Sequence, residues 1–206
     1  MGVRGGFVTV EGIDGAGKSS HLDFLRDRIA ARGVEVLVTR EPGGTPFGAR
    51  LREAVLAEPT TVLAEALALF ADRAAHVESS IEPALARGTW VLCDRFSDST
   101  YAYQCGGGGV AREAVEALER LVHPGLQPDA TFLFDIEPTL ACERLRGRGA
   151  PQDRFEREQT AFFERVRAAY LERARDFPRR FHVIDASGAP DQVREGLAHA
   201  FSRAFP

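Results

Sequence analysis

The stretch Gly12-Ile-Asp-Gly-Ala-Gly-Lys-Ser19 constrains this chain more than any other. It follows the apolar run Phe7 to Val10 and precedes a pattern in which Leu22, Leu25 and Ile29 recur at helix spacing, so it reads as strand, tight loop, helix. The spacing fits G-x-x-x-x-G-K-[ST], a phosphate-binding loop. Gly12, Gly15 and Gly17 let the backbone curl so that successive N–H groups and the positive end of the next helix surround a phosphate. Lys18 then reaches the outer phosphates, and Ser19 offers a hydroxyl to Mg2+.

Charge and cysteine usage exclude several function classes. A formal net charge of −4 gives no general electrostatic reason to bind nucleic acid or an anionic membrane, so any polyanion should be small and met by a local basic site. No apolar run approaches membrane-spanning length, and Met1-Gly-Val-Arg-Gly-Gly6 lacks the apolar core of a signal peptide, so a cytoplasmic location is expected. Cys93, Cys105 and Cys142 are odd in number and widely spaced, which suits neither a disulfide framework nor a zinc site; Cys93 reads as a buried strand residue. The 206 residues suit a single domain, 1–206, with a sizeable core.

Strands are expected at Val34–Val38, Thr89–Cys93, Thr131–Asp135 and Arg180–Ile184 besides the first, with helical patterns between them. That alternation predicts a three-layer α/β/α fold on a five-stranded parallel sheet. Thr39-Arg-Glu-Pro-Gly-Gly-Thr45 falls at the carboxyl end of a strand, where such sheets place ligands. A long helical pattern from about Val62 to Arg87 carries Phe70 and Arg73 one turn apart. Asp94 ends the third strand and is the candidate for Mg2+; Asp135 is its rival, but Arg95 beside Asp94 makes the better phosphoryl-transfer context. Phe96 to Gln104 reads as helical, and Cys105-Gly-Gly-Gly-Gly109 as a break: a mobile loop near the site, or a plain surface connection. Arg144, Arg146, Arg148 and Arg154 lie on glycine and proline punctuation and suit a short lid at about 144–156 that closes over the phosphates and excludes water.

Such a loop alone says only that a nucleoside triphosphate binds. A guanine-reading N-K-x-D segment is absent, since Lys18 is the only lysine, which counts against a GTPase-like switch. Phe70 could stack on an acceptor base, and Arg73, Thr100 and Gln104 could bond its edge.

In order along the chain, EGIDGAGKSS, TREPGGT, LALFADR, DRFSDSTYAYQ and RGRGAPQDRFE resemble the thymidylate kinases, P-loop nucleoside monophosphate kinases that make dTDP from dTMP and ATP. The resemblance spans almost the whole chain. It implies ATP on Gly12, Ile13, Asp14, Gly15, Ala16, Gly17, Lys18, Ser19 and Ser20, with Mg2+ served by Ser19 and Asp94. It places dTMP against Asp14, Glu41, Arg52, Phe70, Arg73, Arg95, Ser99, Thr100, Tyr103 and Gln104, with Arg52 and Arg95 on its phosphate and Tyr103 excluding a 2′-hydroxyl. Lys18, Arg95 and Asp14 would serve catalysis. Gly15 stands where some members carry an arginine in the loop, so Arg148 and Arg154 of the lid would contact the transferring phosphate, as in the bacterial type. Family members are typically homodimers. A kinase for another monophosphate or a deoxynucleoside, and a non-catalytic nucleotide-binding module, are the alternatives.

Overall fold

The computed structural model describes residues 3–146 and 154–206, with backbone alone at 146 and 154–159. Residues 147–153, with Arg148 and most of the expected lid, lie outside the described residues, as do the side chains of Arg146 and Arg154.

Five parallel strands form one sheet in the order β2-β3-β1-β4-β5. They are β1 (Phe7–Glu11), β2 (Val36–Arg40), β3 (Trp90–Asp94), β4 (Ala130–Asp135) and β5 (Phe181–Asp185). Every residue of β1 is buried, as a central strand covered on both faces requires. Its alternate side chains enter different cores. Val8 and Val10 pack with Leu25, Ile29, Phe132 and Phe201 on one face, while Phe7 packs with Val77, Ile81, Val91 and Phe96 on the other. The expected fold is thus the observed one: a parallel α/β sheet between two helical layers.

The helices are α1 (Leu22–Ala30), α2 (Pro46–Ala57), α3 (Val62–His76), α4 (Glu82–Ala86), α5 (Ser97–Thr100), α6 (Arg112–Val122), α7 (Pro138–Arg146), α8 (Arg154–Asp176) and α9 (Pro190–Ala204). Thr45 caps α2 by accepting from Gly48 N at 2.9 Å, with Pro46 at the first helical position. The long helix expected over 62–87 is divided by a π turn at Val77–Ile81. β2 begins two residues later than the apolar pattern suggests and runs on to Arg40. Among the described residues no helix is long and apolar enough to cross a membrane.

The glycine run departs most from expectation. A π turn continues the helix from Tyr101 to Gly107, so the break comes two glycines later than expected. These glycines are close-packing positions. A Cβ on Gly106 would lie 2.5 Å from Ala169 Cβ, one on Gly107 2.5 Å from Phe162 Cε2, and one on Gly108 2.4 Å from Val62 Cγ1. Only hydrogen at these three positions lets the segment lie this close to α8 and α3, and it is neither a free loop nor a loose connection.

Candidate active site

β1 delivers the phosphate-binding loop to the carboxyl edge of the sheet, between its neighbours β3 and β4. Gly12, Gly15 and Gly17 have φ of 138°, 83° and 86°, in the region that favours glycine. Gly12 and Gly15 also pass under other backbone, since a Cβ there would lie 2.5 Å from Phe134 O and 2.4 Å from Ala141 O. Ala16 N donates to Ile13 O at 3.3 Å and Ser20 N to Gly17 O at 3.2 Å as the loop tightens into the turn Lys18–His21 that leads to α1. Lys18 is buried with its Nζ folded onto Gly12 O (2.9 Å) and Ile13 O (3.1 Å). Burial, then the charge of Arg95, pushes its ammonium down to about 8 against the opposing pull of Asp94, Asp14 and Glu11.

Arg95 leaves the tip of β3 with φ 71°, a conformation rare for a side-chain-bearing residue and costing on the order of 1 kcal/mol. Four contacts hold it there. Nη2 reaches Asp14 Oδ1 at 2.7 Å and the Tyr103 hydroxyl at 3.1 Å; Nη1 reaches Ser99 Oγ and the Tyr170 hydroxyl, both at 3.1 Å. Tyr103 also accepts from Asp14 N at 3.2 Å, which ties the phosphate loop to the neighbouring cavity.

Beneath Arg95 lies Glu11, which the sequence did not mark. It is fully buried and accepts from Phe96 N (2.7 Å), Ser99 Oγ (2.6 Å) and the Tyr170 hydroxyl (2.9 Å). Burial and then the charge of Asp98 push its carboxyl up to about 7, with Arg95 and the hydrogen bonds pulling the other way. Asp98 is itself buried, but Arg180 and Arg173 bond both its oxygens and hold it below the usual range despite that burial. The signal available for Glu11 was an acid at the end of a buried strand, directly before the glycine loop.

Asp94 Oδ1 is buried with no hydrogen-bond partner, and Ser19 is exposed beside Lys18. The rival, Asp135, is occupied: Arg167 bonds it through Nε at 2.6 Å and Nη2 at 3.0 Å. Among the described residues no cluster of three or more His, Cys, Asp or Glu could hold a metal alone. One free carboxylate and one hydroxyl suit Mg2+ that arrives with phosphates and keeps its waters.

A cavity opens next to Arg95, walled by Asp14, Glu41, Arg52, Arg73, Ser99, Thr100, Tyr103 and Gln104 of the expected acceptor set. Glu41 is buried, with Oε2 2.7 Å from Arg73 Nε and Oε1 3.0 Å from His76 Nδ1. Thr100 Oγ1 accepts from Arg73 Nη1 at 3.3 Å, and Arg52 Nη1 donates to Pro42 O at 3.1 Å. Phe70 needs correction. It is 2 % exposed, packs with Tyr101 and Val115, and lies face to face with His123; the side chain at the cavity wall is Leu69. The face of α3 turned to the cavity carries Glu65, Leu69 and Arg73, spaced four apart, and Phe70 is rotated away from that stripe beneath the Arg73 guanidinium, 4.6 Å from its ring centroid. Arg144, expected over the phosphates, instead donates to Ala186 O, Ser187 O and Gly188 O at 2.8, 3.0 and 3.2 Å.

A phosphate loop, a bridging arginine and an adjacent polar cavity agree with the comparisons to known proteins. The thymidylate kinase family model matches residues 10–197. This chain belongs to the thymidylate kinase family. The thymidylate kinase of Methylobacillus flagellatus is 53 % identical over 193 residues, covering 94 % of this chain and 95 % of that one. That of Bordetella pertussis is 53 % identical over 197 residues, covering 96 % and 94 %. The crystal structure of thymidylate kinase from Ehrlichia chaffeensis matches with a TM-score of 0.78 at 31 % identity, covering 97 % of this chain and 99 % of that chain. Membership of the thymidylate kinase family accounts for the α/β P-loop kinase fold.

Proposed function

We propose that this chain transfers the γ-phosphoryl group of ATP to dTMP, giving dTDP and ADP. The observation that carries the reading is Arg95, whose Nη2 bonds Asp14 of the phosphate loop while its guanidinium walls the neighbouring cavity. A cation so placed touches both nucleotides at their phosphate ends.

In this reading an oxygen of the dTMP phosphate attacks the γ-phosphorus as the bond to the β–γ bridging oxygen breaks, and ADP leaves with that electron pair. Charge spreads over the transferring oxygens, so the protein's part is positioning and fixed positive charge. Lys18 Nζ moves from the Gly12 and Ile13 carbonyls to phosphate oxygens, and the loop N–H groups hold the rest. Arg95, and Arg52 across the cavity, hold the acceptor phosphate. Arg73, Thr100 and Gln104 face the base, with Leu69 rather than Phe70 as the apolar wall, and Tyr103 abuts the sugar. Ser19 and Asp94 would hold Mg2+, which supplies charge neutralisation on the ATP phosphates. Arg148 and Arg154 would add lid cations.

The protein works as one domain, in the cytoplasm, as a homodimer. Leu63 and Leu67, one turn apart on α3, are 51 % and 49 % exposed, an apolar strip suited to a second copy. Sedimentation at micromolar concentration checks this: a monomer overturns it.

The deciding assay follows ADP release with ATP and Mg2+ against dTMP, dUMP, dCMP, AMP, GMP and thymidine. Preferential conversion of dTMP supports the reading, and preference for another acceptor moves it to a different kinase. ATP binding without any transfer replaces it with a binding module.

A further inference from the structure

Gln104 and Glu65 meet at the cavity wall, and their contact fixes which way the glutamine amide faces. Gln104 Nε2 donates to Glu65 Oε1 at 2.8 Å, and both side chains line the cavity. An ionised carboxylate only accepts, so the amide must turn its NH2 toward Glu65. Gln104 is 5 % exposed, and no described residue hydrogen-bonds its Oε1. With its NH2 on Glu65, that oxygen is the amide's remaining group for a ligand in the cavity that Gln104 lines.

Arg73 lines the same cavity; its Nε is taken by Glu41 and its Nη1 reaches Thr100, and Nη2 has no hydrogen-bond partner among the described residues. The wall therefore presents a donor next to an acceptor. Thymine offers the complement, O4 as acceptor and N3–H as donor. Cytosine offers an N4 amino donor and an N3 acceptor, so it would set donor against donor and acceptor against acceptor. An unrestrained amide could rotate to suit either edge.

We propose that Glu65 is a positioning residue that locks the Gln104 amide with its carbonyl toward the acceptor base, and that this lock rejects a cytosine-type edge. The proposal rests on the reading of this cavity as the acceptor-base site. Glu65 forms no ion pair among the described residues, and it sits on the same α3 stripe as Leu69 and Arg73. Among the described residues, its hydrogen bond to the amide is the one side-chain polar contact it makes.

The test compares dTMP with 5-methyl-dCMP, which share sugar, phosphate and methyl group and differ only along the pairing edge. In Glu65→Ala, the kcat/KM ratio of dTMP to 5-methyl-dCMP is expected to fall about tenfold, through KM more than kcat, the scale of one misdirected hydrogen bond. Glu65→Gln, whose own Oε1 still accepts from Gln104, is expected to keep most of the ratio. In a Gln104→Leu background there is no amide to orient, so adding Glu65→Ala should leave the ratio where Gln104→Leu put it. An unchanged ratio in Glu65→Ala, or an equal loss with and without the Gln104 amide, overturns the proposal. A different result separates the reading beneath it: if Gln104→Leu leaves the KM for dTMP unaltered, the cavity does not read the base through Gln104 at all. Thermal melts of all four variants confirm that folded protein is being compared.

Discussion

The hydroxyl of Tyr170, on the helix that follows the arginine-rich segment, lies 3.1 Å from Nη1 of Arg95 at the tip of β3. The same hydroxyl donates to Glu11 at 2.9 Å, so one phenol links α8, the central strand and the bridging arginine. Tyr170→Phe removes that link while keeping the ring in the core. Its loss leaves buried Glu11 short of a donor, and stability should fall by about 1–2 kcal/mol. The KM for dTMP should rise severalfold as Arg95 loosens, with kcat falling less. A denaturant midpoint and a KM equal to those of the unaltered chain would show that the link carries nothing.

Burial, and then the charge of Arg95, lowers the proton affinity of Lys18. Two cations this close suit a polyanion between them. Lys18→Ala or Arg95→Ala should each lower kcat by about a thousandfold or more, since each removes fixed charge from the transition state. Circular dichroism should report an intact fold in both. Retention of the full rate in either variant takes that residue out of the mechanism.

Glu11 makes a signed prediction with pH. Its carboxyl is raised from 4.5 to about 7 in the fold, chiefly by burial, so between those values the folded chain binds a proton that the unfolded chain has released. Stability from this group is fully present below about 4.5 and is lost as pH rises through about 7. Glu11→Gln, which has no charge to bury, should flatten that part of the stability profile, by a difference on the order of 1–3 kcal/mol between pH 4.5 and 8. Urea titrations of both proteins across this range make the comparison. Parallel profiles would mean that Glu11 ionises in the fold as it does in the unfolded chain.

The sheet and the phosphate loop were legible because both are local: period-two or continuous apolar runs mark strands, and glycine spacing marks the loop. Asp94 stands out in the sequence as a strand-end acid beside an arginine, and the structure leaves its Oδ1 buried and unpaired. Its rival was not dismissible from neighbours in sequence, because the arginine that occupies Asp135 is Arg167, 32 residues away. Phe70 misled because the positions three and four residues before Arg73 both lie within one helical turn of it, and only the packing of Phe70 on Tyr101 and Val115 leaves Leu69 as the one that lines the cavity. Glu11 and Tyr170 were invisible for a related reason. Their contact spans 159 residues: no motif surrounds Tyr170, and although Glu11 opens EGIDGAGKSS, nothing near it in sequence marks Tyr170 and Ser99 as its partners.

The glycine run gives the sharpest contrast between local and tertiary reasoning. Judged by composition, Gly106 to Gly108 belong to a loop, where alanine would be harmless or even stabilising through a less flexible unfolded chain. Judged by packing, they are the surface on which α8 and α3 rest. A Cβ at Gly107 would lie 2.5 Å from Phe162 Cε2 and 2.9 Å from Val166 Cγ2, inside van der Waals contact on two sides. Gly107→Ala should therefore push α8 outward and destabilise the chain by about 1–3 kcal/mol. Because α8 carries Tyr170, the same variant should also raise the KM for dTMP. Gly109→Ala separates crowding from backbone strain, since a Cβ there meets nothing within 4 Å although its φ is 77°. Its stability loss should be smaller, about 1 kcal/mol, and should leave the KM unchanged. A Gly107→Ala chain as stable as the parent would return the run to the status of a loop.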